Sequence, residues 1–303
     1  MVKDRKEKPM KKAKKGDRLF DIINYLILGI FTLIILYPLY FVVIASISDP
    51  TLVNSGQVLF YPRKISLEGY KLIFQRSEIW RSYANTIQYT VMGTALGVIA
   101  TMLIAYCLSR RDFEGRNFLM VFLMITMYFG GGLIPTYLLM SNLGLVNTRW
   151  ILILMGSVSV FNIIMARTFL QSSLSPDLFE AALLDGCSDI NYFIRIVLPL
   201  SKAVIAVLVL YYGVAHWNDY FNGLIYTTDA ELQPLQLVLR SILVTNQLIA
   251  QDMTNIENAL EAQRTVEIMK YGLIIVSSIP VLAVYPFVQK HFNQGVMIGS
   301  VKG

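Results

Sequence analysis

Ser175-Pro176-Asp177-Leu178-Phe179-Glu180-Ala181-Ala182-Leu183-Leu184-Asp185-Gly186-Cys187-Ser188-Asp189, followed by Ile190 to Leu198 and Pro199, is the stretch on which the fold turns. Ser175 can cap a helix whose first residue is Pro176, because its hydroxyl accepts an orphan amide and the proline has no amide to leave unpaired. Asp177 adds negative charge at the positive end of that helix. Gly186 stands where a helix ends in the left-handed conformation, and Ser188 can cap a second helix with an apolar stripe of Ile190, Phe193, Ile194 and Val197. The pattern predicts helix, sharp turn, helix. Such a short pair with apolar faces, if exposed, is built to dock against a soluble partner.

The sequence on both sides of this segment is membrane material. Of 303 residues, 55% are hydrophobic and 15% charged, against about 25% charged in an ordinary soluble domain. Crossing a bilayer as a helix takes about 20 mostly apolar residues, with every backbone polar group satisfied within the segment. Uncharged stretches of that kind run roughly from 22 to 47, 82 to 108, 117 to 140, 150 to 168, 203 to 226 and 270 to 289. The expected fold is therefore all-α and polytopic, with six transmembrane helices. The first stretch is too long for the apolar region of a secretory signal, about 7 to 15 residues, and reads as an uncleaved span.

Positive loops stay on the cytoplasmic side, and the lysines and arginines agree on one orientation. Residues 1–18 form a basic tail carrying Lys3, Arg5, Lys6, Lys8, Lys11, Lys12, Lys14, Lys15 and Arg18, which suits contact with anionic membrane lipid. The second connection carries Arg110, Arg111 and Arg116, the fourth Arg195 and Lys202, and the carboxyl end Lys290 and Lys302. Both termini are thus expected in the cytoplasm. The membrane domain would cover 19–303, with the docking segment at 174–200, an outer loop at 227–269 and a cytoplasmic tail at 287–303. Residues 49 to 81 and the turn from Ser141 to Arg149 would also lie outside.

Within the outer loop, Leu235, Val238, Leu239, Ile242 and Leu243 recur at offsets of three and four, opposite Gln236, Arg240 and Ser241, which is an amphipathic helix. It could lie on the outer face of the bundle or engage an external partner. Pro38, Pro135, Pro280, Pro286 and the Gly130-Gly131-Gly132 run interrupt or end spans, either as kinks or where the chain borders a pathway. The cluster Trp217, Asn218, Asp219, Tyr220 and Asn222 mixes aromatic faces with amide and carboxylate groups, suited to stacking on sugar rings or to an interfacial aromatic belt.

Several chemistries lack their residues. Cys107 and Cys187 are far apart in sequence and make no metal or redox pair, and His216 and His291 read as structural. No Gly-Lys-Ser or Gly-Lys-Thr phosphate loop occurs, so ATP and magnesium would belong to another chain. The basic tail has neither aromatic interleaving nor a folded basic module, which argues against nucleic acid.

Glu180-Ala181-Ala182, Asp185-Gly186 and the later Ile196, Leu198 and Pro199, placed before the penultimate span, resemble the EAA motif of ABC importer permeases. The resemblance covers most of the chain and is nearest to the carbohydrate-uptake branch, the maltose-permease G-type subunit and its polysaccharide-importer relatives. Asn85-Thr86-Ile87, Ala105 to Arg110, Gly131 to Leu138 with Tyr137, Trp217 to Asn222, and the ending Gly299-Ser300-Val301-Lys302-Gly303 match as well. What the resemblance implies is a type I ABC importer permease fold in a bacterial cell membrane. It also implies coupling through Glu180, Ala181, Ala182, Asp185, Gly186, Leu198 and Pro199 to a separate ATPase. The implied partners are a second homologous permease, two ATPase subunits and an extracytoplasmic sugar-binding lipoprotein. The outer loop would meet that lipoprotein and the carboxyl tail the ATPase interface. In the maltose-type family the principal sugar site lies in the other permease, so Tyr137 and the Trp217 to Asn222 cluster are candidates only for the substrate path.

Two other classes fit less well. An ion-driven secondary carrier needs ionisable groups near mid-membrane and often repeated halves. A membrane-embedded enzyme needs a reactive constellation at membrane depth. Within the ABC class, a non-sugar solute such as a polyamine or phosphonate stays open, because coupling motifs are shared across substrates.

Overall fold

The computed structural model describes residues 15–251, 264–284 and 286. The basic tail up to residue 14, positions 252–263 of the outer loop, and the 287–303 tail with His291 lie outside the described residues. All regular elements among the described residues are helices. In chain order they are α1 (Lys15–Ser46), α2 (Pro50–Asn54), α3 (Glu68–Gln75), α4 (Ser77–Ser109), α5 (Arg116–Tyr128), α6 (Leu133–Asn142) and α7 (Arg149–Leu154). There follow α8 (Val160–Ser173), α9 (Pro176–Leu184), α10 (Asp189–Leu200), α11 (Lys202–Trp217), α12 (Phe221–Tyr226), α13 (Leu235–Gln251) and α14 (Arg264–Val284).

Among the described residues three helices are long and apolar enough to cross a membrane unbroken, within α1 (Leu19–Ser46), α4 and α14. The other expected spans are interrupted. The third bends by 112° between α5 and α6, and α10 meets α11 at 80°. The stretch from 150 to 168 runs as α7 and α8 around a break, and the fifth span ends at Trp217 rather than near 226. The sixth is already helical at Arg264, ahead of the expected position 270. Pro38, by contrast, sits inside an uninterrupted α1.

The α4 helix is the post around which the rest assembles, packed chiefly by α11 and α8. Its Gly93-Thr94-Ala95-Leu96-Gly97 is a small-x-x-x-small run that lets neighbours approach. A Cβ at Gly93 would overlap the buried His216 imidazole, and one at Gly97 would lie 2.5 Å from the Ser157 carbonyl and 3.1 Å from the Tyr212 ring.

That approach explains how the α7–α8 break is tolerated at membrane depth, where irregular backbone must be satisfied by protein or water. Gly156 turns the chain at φ +80°. The Tyr212 hydroxyl, buried on α11, then receives the Ser159 amide at 3.1 Å and shares a 2.6 Å hydrogen bond with Thr101 of α4. One phenol thus ties three elements. The amphipathic face on α13 is covered: Leu235, Val238, Leu239 and Ile242 are buried with Ile73, Ile79, Trp217, Met269, Leu273 and Val276. Packing against the bundle accounts for that face.

Candidate functional site

The 174–200 segment takes the form its caps dictate. The Ser175 hydroxyl accepts the Asp177 amide at 3.1 Å, and Pro176 opens α9. The helix closes with the Cys187 amide reaching the Ala182 carbonyl at 2.9 Å and the Gly186 amide reaching Leu183 at 2.9 Å. These are the paired bonds of a Schellman ending, which needs a left-handed residue, and Gly186 has φ +74°. Ser188 then caps α10 by accepting the Asn191 amide at 3.4 Å.

Within α10 the residues Phe193–Val197 form a π turn, in which Leu198 donates to the Phe193 carbonyl five residues back. Pro199 supplies the reason. Its ring clashes with the carbonyl four residues earlier and it has no amide to donate, so the preceding turn widens. The chain bends by 80° immediately afterwards, into α11. Leu198 and Pro199 therefore set the angle between the docking segment and the fifth span.

The two faces of α9 differ. Ala182 is buried at 8% exposure in a cluster with Tyr106, Leu170, Tyr192 and Val197, where a side chain without further atoms lets the helix lie close. Glu180, Ala181, Asp185 and Gly186 are exposed. Around them Leu178, Leu183, Leu184 and Ile190 are exposed too, Leu184 at 90%. A ring of uncovered leucines and isoleucine around an exposed carboxylate is a surface shaped for another protein rather than for water.

One residue outside the motif holds the pair in place. Arg110, the residue that ends α4, is only 17% exposed at its side chain. Its guanidinium donates to Asp112 at 2.7 Å, to the Tyr106 hydroxyl at 2.9 Å and to Asp189 at the start of α10 at 2.9 Å. It also lies 3.6 Å over the Phe179 ring of α9. The hydrogen bond that Arg110 donates to Asp112 raises the arginine pKa further, and the same bond lowers that of Asp112. The sequence marks Arg110 as a cytoplasmic-side charge and as the end of the Ala105 to Arg110 matching stretch, and no local pattern tells a charge that marks a side of the membrane from one that clamps two helices. Phe179, Asp189 and Tyr192 went unassigned for the same reason.

The candidates for a substrate path are spread over several environments. Trp217 is buried, and its indole donates to the Ser277 carbonyl of α14 at 3.0 Å. Asn218 is exposed and turned back on the Val214 carbonyl at 2.9 Å. Asp219 lies in the turn after α11 and accepts both the amide and the side-chain nitrogen of Asn222, at 3.1 and 2.8 Å. Tyr220 is exposed, with the Arg240 guanidinium 4.9 Å above its ring. Tyr137 is on α6, stacked on Tyr226 with ring centres 5.8 Å apart. Among the described residues no cluster of His, Cys, Asp or Glu could hold a metal ion.

Residues 93–298 match the family described as binding-protein-dependent transport system inner membrane component. The chain is 40% identical over 289 residues to Protein LplC of Bacillus subtilis (strain 168), covering 95% of this chain and 97% of that one. It is 39% identical over 287 residues to the polygalacturonan/rhamnogalacturonan transport system permease protein YtcP of the same organism, covering 95% and 99%. Its fold also superposes on a chain from a crystal structure of a bacterial ABC transporter involved in the import of the acidic polysaccharide alginate. That match has a TM-score of 0.80 and 33% identity, and it covers 93% of this chain and 100% of the other.

Proposed function

This chain belongs to the binding-protein-dependent transport system inner membrane component family, and we propose that it is the permease subunit of an ATP-driven importer of oligosaccharides or polysaccharide fragments. Membership places it in the membrane as a transport component. The sugar reading is supported by two relatives across nearly the whole chain, one named for polygalacturonan and rhamnogalacturonan transport and one from an alginate importer.

In this reading the α9–Gly186–α10 pair rests on a separate cytoplasmic ATPase, which binds ATP and magnesium. The observation that carries it is the exposed apolar face of α9, tied to the end of α4 by the Arg110 guanidinium over Phe179. Glu180, Ala181, Asp185 and Gly186 form the contact, Ala182 seats it on the bundle, and Leu198 and Pro199 pass its movement into α11. A second permease would complete the path, two ATPase copies would drive it, and an extracytoplasmic sugar-binding lipoprotein would deliver the load. Both termini then face the cytoplasm of a bacterial cell. Tyr137, Asn218, Asp219, Tyr220 and Asn222 are the groups proposed to border the path, with Trp217 behind them as support.

The test is ATP hydrolysis by the reconstituted complex, with and without loaded binding protein, for wild type and Gly186→Pro. Proline cannot adopt a positive φ and cannot supply the Gly186 amide. Stimulation by loaded binding protein that disappears in an assembled Gly186→Pro complex supports coupling. Transport by this chain alone, without any ATPase and unaffected at Gly186, would falsify the assignment.

A further inference from the structure

A cavity of about 710 Å³ opens beside the docking pair, between the end of α4, the loop into α5, α8 and α9. Ligand pockets commonly fall between about 300 and 1,000 Å³. Among the described residues four arginines line it, Arg110, Arg111, Arg116 and Arg167, with Asp112 and Glu180 as the only carboxylates. Arg110 and Asp112 neutralise each other through the contacts already described. Among the described residues lining the cavity, Glu180 is then the carboxylate left beside three guanidiniums, and it pairs with none of them.

The way those guanidiniums are held is the informative feature. Arg167 donates Nε to the Leu108 carbonyl at 3.0 Å, and Arg116 donates Nη1 to the Arg110 carbonyl at 3.2 Å. A carbonyl fixes the position of a guanidinium and leaves its charge unneutralised and most of its donors unused, whereas a carboxylate would cancel it. Arg111, an exposed lining residue, makes no hydrogen bond or ion pair among the described residues. A half-enclosed space with two guanidiniums held by carbonyls and a third, Arg111, unpaired among the described residues suits a ligand with several anionic oxygens. Leu170, Leu174 and Leu183 give the same space an apolar wall.

We propose that this cavity binds a phosphate group, carried by an anionic lipid headgroup or free in solution. Basic pockets between membrane helices commonly take such headgroups. The site needs only the cavity and does not depend on which solute the protein carries.

The experiment uses the full chain co-purified with its partner subunits, as wild type, Arg111→Gln, Arg167→Gln and, as a charge control outside the cavity, Arg195→Gln. Native mass spectrometry after release from phosphatidylglycerol-containing nanodiscs reads retained lipid. The thermal midpoint in phosphatidylcholine nanodiscs, with inorganic phosphate against chloride at equal ionic strength, reads free phosphate. Loss of one charged hydrogen-bonding partner is expected to weaken binding by about tenfold. Phosphatidylglycerol retained by wild type and Arg195→Gln but lost in the two cavity variants establishes the lipid source. A phosphate-induced rise confined to wild type and Arg195→Gln establishes free phosphate. If neither probe separates the cavity variants from wild type, the proposal is overturned. Arg111 makes no bond among the described residues, so Arg111→Gln carries the test even if Arg167→Gln does not assemble.

Discussion

Two side chains do structural work out of proportion to their size, and each can be tested alone. Tyr212 offers one hydroxyl to Thr101 and to the Ser159 amide. Tyr212→Phe leaves that backbone donor without a partner in a water-poor interior, at a cost of about 1 to 3 kcal/mol. It should show as a lowered unfolding midpoint in detergent, with helix content retained, and an unchanged midpoint would mean that water replaces the phenol. Arg110 and Asp112 give a pH prediction whose sign is fixed by direction alone. The bond to Arg110 holds Asp112 below its ordinary value of 3.8. The pair's contribution is therefore fully present above that value and disappears as pH falls through the lowered one. The side chain of Asp112 is 62% exposed, so the contribution is small and screened. Wild type and Asp112→Asn should differ by a constant margin in thermal midpoint from neutral pH down to about 5, the gap closing only in stronger acid. A margin that shrinks already near pH 6 would place the titration on another group.

At the scale of elements, the close approach of α4 to its neighbours depends on missing side chains. Gly97→Ala sets a methyl 2.5 Å from the Ser157 carbonyl, a backbone atom that cannot rotate away. Overpacking of this kind costs about 1 to 3 kcal/mol. Gly29 on α1 has nothing within 4 Å of an added Cβ, and Gly29→Ala should be neutral or slightly stabilising. Unfolding of the two variants in detergent checks the contrast, and equal effects would show that α4 is not tightly seated. The same comparison explains the interrupted fourth span. Its break is held by Gly97 from one side and Tyr212 from the other, and neither is a neighbour in sequence.

For the whole molecule, the informative surfaces are those a single chain leaves uncovered. The α5–α6 break has Tyr128 and Phe129 exposed at 79% and 78%, open space beside Gly130 and Gly131, and Gly132 at φ +85° and ψ 171°, a region nearly exclusive to glycine. Irregular backbone does not face lipid, because its polar groups would stay unsatisfied there. The break is therefore expected to border a water-filled path. With Cys107 and Cys187 replaced, Gly131→Cys in the assembled complex should react with a membrane-impermeant maleimide while Leu33→Cys on α1 should not. A Gly131→Cys as unreactive as Leu33→Cys would sink the idea.

How much of this could be read beforehand follows from the range of each interaction. Helical membrane character, the Ser175 and Ser188 caps and the turn at Gly186 rest on contacts within a few residues, or on composition, and the chain states them directly. Family membership was readable from the Glu180-Ala181-Ala182 and Leu198-Pro199 neighbourhood for the same reason. Burial of Trp217, the Arg110 clamp on Phe179 and Asp189, and the cavity beside it join residues separated by tens of positions. Helix periodicity shows that a residue lies on an apolar or polar face and cannot show which distant face it meets. That part was decided only by the tertiary structure, because a hydrogen bond or a packed ring is a matter of distance in space.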